Sequence, residues 1–183
     1  MFYEVELKGH IRVPPTSFKM DVEDAVLEQL NTKFKDFISK DFGIVIAVSG
    51  IVSIGEGIII PGDGAAYYDT MFKLYTFKPE LQEIILGNVT QIEDFGAFIN
   101  IGPIDGMVHI GQTMDDFVSF SKSGVLTGKQ SKRSLKTGDD CRARIIAISF
   151  KEVRSPKIGL TMRQWMLGSL SSIKDDIKKQ KEK

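Results

Sequence analysis

Polar and apolar residues alternate at the start of the chain. Tyr3, Val5, Leu7, Gly9, Ile11 and Val13 fall on one side, Glu4, Glu6, Lys8, His10 and Arg12 on the other. A period of two marks a half-buried β-strand. Pro14 and Pro15 end it, because neither can donate a ladder hydrogen bond. Asp21 then reads as an N-cap, followed by Val22, Val26, Leu30, Phe34 and Phe37 at the spacing of one helix face. Residues 43–54 are almost all apolar and mostly β-branched, which predicts a strand buried on both faces. In the glycine-rich stretch that follows, Gly55, Gly57, Gly62 and Gly64 with Pro61 bracket Ile58, Ile59 and Ile60. Another strand is expected over 66–77. Lys78-Pro79-Glu80 is the expected boundary between a domain at 1–80 and one at 81–183.

The second half reads as strands near 83–92, 95–101, 107–110, 140–150 and 157–162, with a polar insertion at 111–138 whose periodicity is too weak to place. Met166, Leu170, Ile173 and Ile177 predict a terminal helix, trailing into a lysine-rich end expected to fray. The expected class is α+β: an antiparallel sheet packed with a helix, then a five-stranded barrel of the OB type.

Composition narrows the partners more than the fold. A hydrophobic share of 42% with 26% charged residues excludes a disordered chain and a membrane-embedded one. No apolar run approaches the roughly 20 residues that span a bilayer, and the start lacks the basic and apolar regions of a secretion signal. A single cysteine, Cys141, forbids an internal disulfide and a cysteine-rich zinc site. Together these place the chain in a reducing, cytoplasmic setting. The net charge of zero hides a gradient: residues 81–121 carry six acids and no Lys or Arg, whereas 122–163 carry eleven bases against three acids. Folded onto one face, the latter segment would offer a cationic groove to a phosphate chain.

Candidate binding chemistry lies in 87–110. Phe95 and Phe98, three apart, share a face of a strand only if the chain bulges, and Gly96 makes a bulge plausible. With His109 on the next strand they would form a platform on which bases stack. Arg142 and Arg144, two apart on one strand face, would hold phosphates, and Lys132, Arg133 and Lys136 in the insertion would widen the positive field. No catalytic constellation is expected: the chain has two histidines and no phosphate-binding loop ending in Gly-Lys-Ser/Thr. The acidic pairs Asp115-Asp116, Asp139-Asp140 and Asp175-Asp176 read as caps and solvated turns, so no metal or cofactor is expected.

Residues 87–110 resemble the S1-type RNA-binding domain through Phe95-Gly96-Ala97-Phe98 and Gly106-Met107-Val108-His109-Ile110, with further matches at Gly138-Asp139 and Gly159-Leu160-Thr161-Met162-Arg163. The resemblance spans about residues 82–163 and implies that Phe95, Phe98 and His109 face RNA. Ser149 stands where that family often has Asp, and Lys157 where it often has Arg, which makes Lys157 a candidate RNA contact. The first half resembles the tip domain of the E-prime family of archaeal RNA polymerase subunits, counterparts of the seventh-largest subunit of eukaryotic polymerase II. The matches are Met1-Phe2-Tyr3, Phe42 to Val48, Gly55 to Gly64 and Tyr75 to Pro79. That resemblance implies a non-catalytic stalk subunit that forms a heterodimer with the small F component of the polymerase. Its tip would dock at the base of the polymerase clamp, and it would bind emerging single-stranded RNA and assist promoter opening. Docking is assigned to the turns flanking the isoleucines: Gly55, Glu56 and Gly57, then Pro61, Gly62, Asp63 and Gly64. The competing readings are an S1-bearing subunit of a translation initiation factor or of an RNA-degrading complex.

Overall fold

The computed structural model describes residues 1–121, 124–150 and 156–181. It divides into two compact units, Met1–Lys78 and Pro79–Lys183.

The first unit is one antiparallel sheet with a helix on one face. β1 (Phe2–Val13), a short 3₁₀ turn at Pro15–Ser17, α1 (Val22–Phe34), β2 (Ile38–Ser39), β3 (Gly43–Ile59) and β4 (Ala66–Phe77) follow one another, and the sheet order is β1-β4-β3-β2. The alternation in β1 matches its burial, with Ile11 and Val13 in the core and their even-numbered neighbours outside. Asp21 is the N-cap residue of α1, although its side chain makes no capping hydrogen bond. The helix buries Ala25, Val26, Leu30 and Phe34 against Ile11, Val45, Phe72 and Leu74. The rings of Phe34 and Phe72 lie 5.3 Å apart. Val22 and Phe37, the ends of the expected stripe, are exposed.

β3 is not buried on both faces. Its pairing with β4 shifts after Val45, Val48, Ile51 and Ile54, each time with one more residue on β3 than on β4, so a bulge recurs every three positions. Each bulge sets two residues against one, which turns the inward period from two to three. Val45, Val48, Ile51 and Ile54 lie opposite Thr76, Leu74, Phe72 and Thr70. Ile46 and Val52, two of the extra residues, are about half exposed, at 46% and 50%. The continuous apolar run therefore feeds one face of an irregular strand.

The second unit is a closed barrel with an added sheet and helix. Its elements are β5 (Ile84–Glu93), β6 (Gly96–Asn100), β7 (Asp105–His109), α2 (Ile110–Thr113), β8 (Val118–Ser121), β9 (Val125–Gly128), β10 (Ser134–Lys136), β11 (Asp140–Ser149), β12 (Lys157–Thr161), β13 (Gly168–Ser169) and α3 (Leu170–Lys181). The order β12-β7-β6-β5-β11 closes through a β11–β12 pairing, and β13 adds to β11. Val89, Ala97, Ile99, Val108, Ile145 and Leu160 fill the interior. Within the insertion, β10-β9-β8 form a second sheet with Leu126 and Leu135 buried. The C-terminal stripe starts later than expected. Met166 has a left-handed φ of 62°, Gly168 and Ser169 pair with Arg142 and Cys141, and only then does α3 begin, with Ile173 as its buried anchor. The last two residues of the lysine-rich tail lie outside the described residues.

Candidate nucleic-acid interface

Strand register fixes which side chains share the outer wall of the barrel. One row runs across all five strands: Gln91 pairs with Phe98, Phe98 with Met107, Met107 with Gly159, and Gly159 with Ala147. Ala97, Ile99 and Val108 beside this row are buried, so Phe98 and Met107 point outward. Two residues along β7, His109 points the same way and is exposed, paired with Gly96.

Phe95 reaches this face by a different route from the bulge expected at Gly96. It sits in the two-residue turn Asp94–Phe95 that joins β5 to β6, and is 45% exposed. The bulge itself is in β5, between Val89 and Gln91, where Thr90 donates its hydroxyl to the Phe98 carbonyl at 3.2 Å. The Phe95 and Phe98 rings meet edge to face, centroids 6.1 Å apart at 86°. Gly96 permits this crowding, since a Cβ there would lie 2.1 Å from the Val108 carbonyl oxygen. The Phe95 carbonyl accepts the Ile110 amide at 2.8 Å, which ties the turn to the residue after His109. His109 caps α2, its Nδ1 accepting the Gly111 amide at 3.2 Å. In the neutral ring the proton then sits on Nε2. The three residues thus form one surface of two phenyl rings and an imidazole. Met107, missed in the sequence reading, fills the row beside Phe98; the alternation Asp105, Met107, His109 was the available signal.

The described cations are dispersed. Lys157 is exposed on the platform's wall, two residues before Gly159. Lys132 is exposed in the turn between β9 and β10. Arg133 is held by Asp176 of α3 at 2.6 Å. Arg142 and Arg144 are half-buried and pair across β5 with Leu86 and Ile84, away from the Phe98 row. Lys122, Lys151 and Arg154 of the basic segment lie outside the described residues. Among the described residues no cluster of His, Cys, Asp and Glu is arranged to hold a metal, and no helix is long and apolar enough to cross a membrane.

Comparison with known proteins places both halves. Residues 8–64 match the family described as "SHS2 domain found in N terminus of Rpb7p/Rpc25p/MJ0397", and residues 78–154 match "S1 RNA binding domain". "DNA-directed RNA polymerase subunit Rpo7" of Sulfolobus acidocaldarius is 39% identical over 98% of this chain and 98% of its own length. The chain belongs to the Rpo7 family. The Rpo7 of Saccharolobus solfataricus is 37% identical over 94% of this chain and 97% of its own. "DNA-directed RNA polymerase III subunit RPC8" of Saccharomyces cerevisiae is 32% identical over 62% of this chain and 54% of its own.

In this Rpo7-family chain the residues expected to dock are spread along the β3–β4 hairpin. Gly55 and Glu56 are not in a turn: they are the two residues of the last β3 bulge, set against Asp69 of β4. Gly57 lies under the Tyr68 ring, where a Cβ would come within 2.7 Å of Cε1. Pro61 and Gly62 form the centre of the turn, closed by the Asp63 amide donating to the Ile60 carbonyl at 3.3 Å. The φ of 97° at Gly62 suits glycine at the third position of a type II turn. Gly64 follows, also left-handed at 67°. Asp63 faces its own unit: Arg12 donates to both carboxylate oxygens at 2.9 and 2.6 Å, and the Tyr67 hydroxyl donates to Oδ2 at 2.5 Å. These hydrogen bonds, Arg12 foremost, hold the carboxyl well below the usual carboxylate range. Beside them Ile58, Ile59 and Ile60 are exposed at 66%, 64% and 47%, so the tip of the hairpin is apolar.

Proposed function

We propose that the chain is the non-catalytic stalk subunit of a cytoplasmic DNA-directed RNA polymerase, and that its barrel guides nascent single-stranded RNA. The observation that carries the RNA reading is the outward surface of Phe95, Phe98 and His109, with the two rings 6.1 Å apart. Stacking contributes about 1–3 kcal/mol per base and is indifferent to sequence, because every base has a π-face. That suits a subunit that must accept whatever transcript emerges. Lys157 and Lys132, both exposed, supply phosphate contacts around the platform. Arg142 and Arg144 contribute from a neighbouring wall, and Arg133 acts mainly through α3.

The first unit is the docking module. The exposed isoleucines at the hairpin tip form an apolar surface of the kind a protein partner covers, and we assign that partner to the base of the polymerase clamp. Pro61, Gly62 and Gly64 shape the turn, and Asp63 stiffens it through Arg12. A heterodimer with the small F component completes the stalk and assists promoter opening. Full-length likeness to polymerase subunits favours this reading over a translation factor or an RNA-degrading complex.

Two measurements test the proposal. Phe95→Ala should weaken single-stranded RNA binding by about 1–3 kcal/mol with little change in sequence preference; an unchanged affinity in a folded variant overturns the platform. Co-expression with the F component should yield a stable one-to-one heterodimer, and failure to form one removes the stalk assignment.

A further inference from the structure

Beside the platform lies a hollow of about 450 Å³ between α2 and the insertion sheet. We propose that it receives one nucleobase of the same RNA strand, one station beyond the platform; this rests on the RNA-binding reading above. Its size is in the range of small-molecule sites, roughly 300–1,000 Å³.

The hollow and the platform share a wall. Ile110 and Gly111 line it and directly follow His109, and the Ile110 amide is bonded to the Phe95 carbonyl at 2.8 Å. His109 and Gly111 are at most about 7 Å apart along the backbone, a step comparable to that between successive nucleotides of an extended strand. A strand stacked on Phe95 and His109 therefore arrives at the opening.

The lining has the chemistry of a base site. Phe117 is 74% exposed, so its ring serves no core, yet its backbone is pinned at both ends. Its amide donates to Asp116 Oδ1 at 2.6 Å, and its carbonyl accepts the Lys129 amide at 2.9 Å. A flat ring on a fixed backbone is a preorganised stacking surface. Asp116 Oδ2 in turn accepts the amides of Gln130 and Ser131, each at 2.8 Å, and this fixes the loop that carries Gln130. The carboxamide of Gln130 both donates and accepts, so it can answer any base edge. Arg163 bonds Asp115 through Nε at 2.8 Å. Two carboxylates against one guanidinium disfavour a phosphate inside the hollow, whereas a neutral base meets no such penalty. The base enters and its phosphate stays in solvent.

The test is fluorescence anisotropy of the full chain with a labelled tri- and octacytidylate. Phe117→Ala should weaken the octanucleotide about tenfold and leave the trinucleotide unchanged, and Gln130→Ala should show the same length dependence. Phe95→Ala should weaken both. If Phe117→Ala leaves the octanucleotide unchanged, or weakens both lengths equally, the second station is wrong and the platform stands. If Phe95→Ala affects neither, the RNA reading itself fails. Because Phe117 is exposed, its variant should melt like the parent, which separates loss of binding from loss of fold.

Discussion

Gly96 shows how tightly one position can be specified. A Cβ there would meet the Val108 carbonyl oxygen at 2.1 Å, and a main-chain atom cannot swing aside as a side chain can. Gly96→Ala should therefore cost about 2–3 kcal/mol in denaturant unfolding, and should weaken RNA binding further by parting Phe95 from His109. Cys141 offers a pH test. Burial, with smaller contributions from Asp140 and Asp139, pushes its thiol from 9.0 up to about 12. The folded state thus keeps a proton that the unfolded chain releases, so stability should fall as pH rises from about 9 towards 12. At pH 8 the folded protein should react slowly with a thiol alkylator and the denatured chain quickly; rapid labelling of the native protein would contradict the burial. At this scale the sequence was informative about identity and silent about cause. Phe95 and Phe98 were legible as a pair, but it is a turn, not a bulge at Gly96, that brings Phe95 to Phe98's side.

Among the elements, β1 and α1 could be read from periodicity because each presents one regular face to the core. β3 could not. Its bulges exist only relative to β4, and a run of apolar residues carries no mark of where two of them will oppose one. The register can be checked by two neighbours: Ile51→Ala should cost about 2 kcal/mol, whereas Val52→Ala should stay within about 0.5 kcal/mol. Equal costs in chemical denaturation would mean a regular strand. The barrel strands were legible for the opposite reason, since their glycines and alternation agree with the closed register. The insertion was not: its three strands are only three or four residues long, too short for a pattern to emerge. The late start of α3 was equally hidden, because Leu170, Ile173 and Ile177 continue a spacing that Met166 begins but does not join.

For the molecule as a whole, the described cations of the basic segment read from the sequence do not gather on one face. Lys157 shares the platform's wall, Lys132 lies on the insertion, and Arg133 is neutralised by Asp176. Lys157→Ala and Lys132→Ala should each flatten the salt dependence of RNA binding by about 0.7 in log–log slope. Arg133→Ala should leave the slope nearly unchanged and instead loosen α3, read as faster amide exchange there. A slope that responds to Arg133 and ignores both lysines would relocate the phosphate path.

β3 also governs how copies of the chain behave towards one another. Beyond the short β2 its outer side has no neighbour in the sheet among the described residues, and a long unpaired rim rich in isoleucine and valine invites cross-chain zippering and fibre growth. The recurring bulges deny that rim a steady hydrogen-bond spacing. Concentrated solutions of the isolated chain should accordingly resist ordered aggregation.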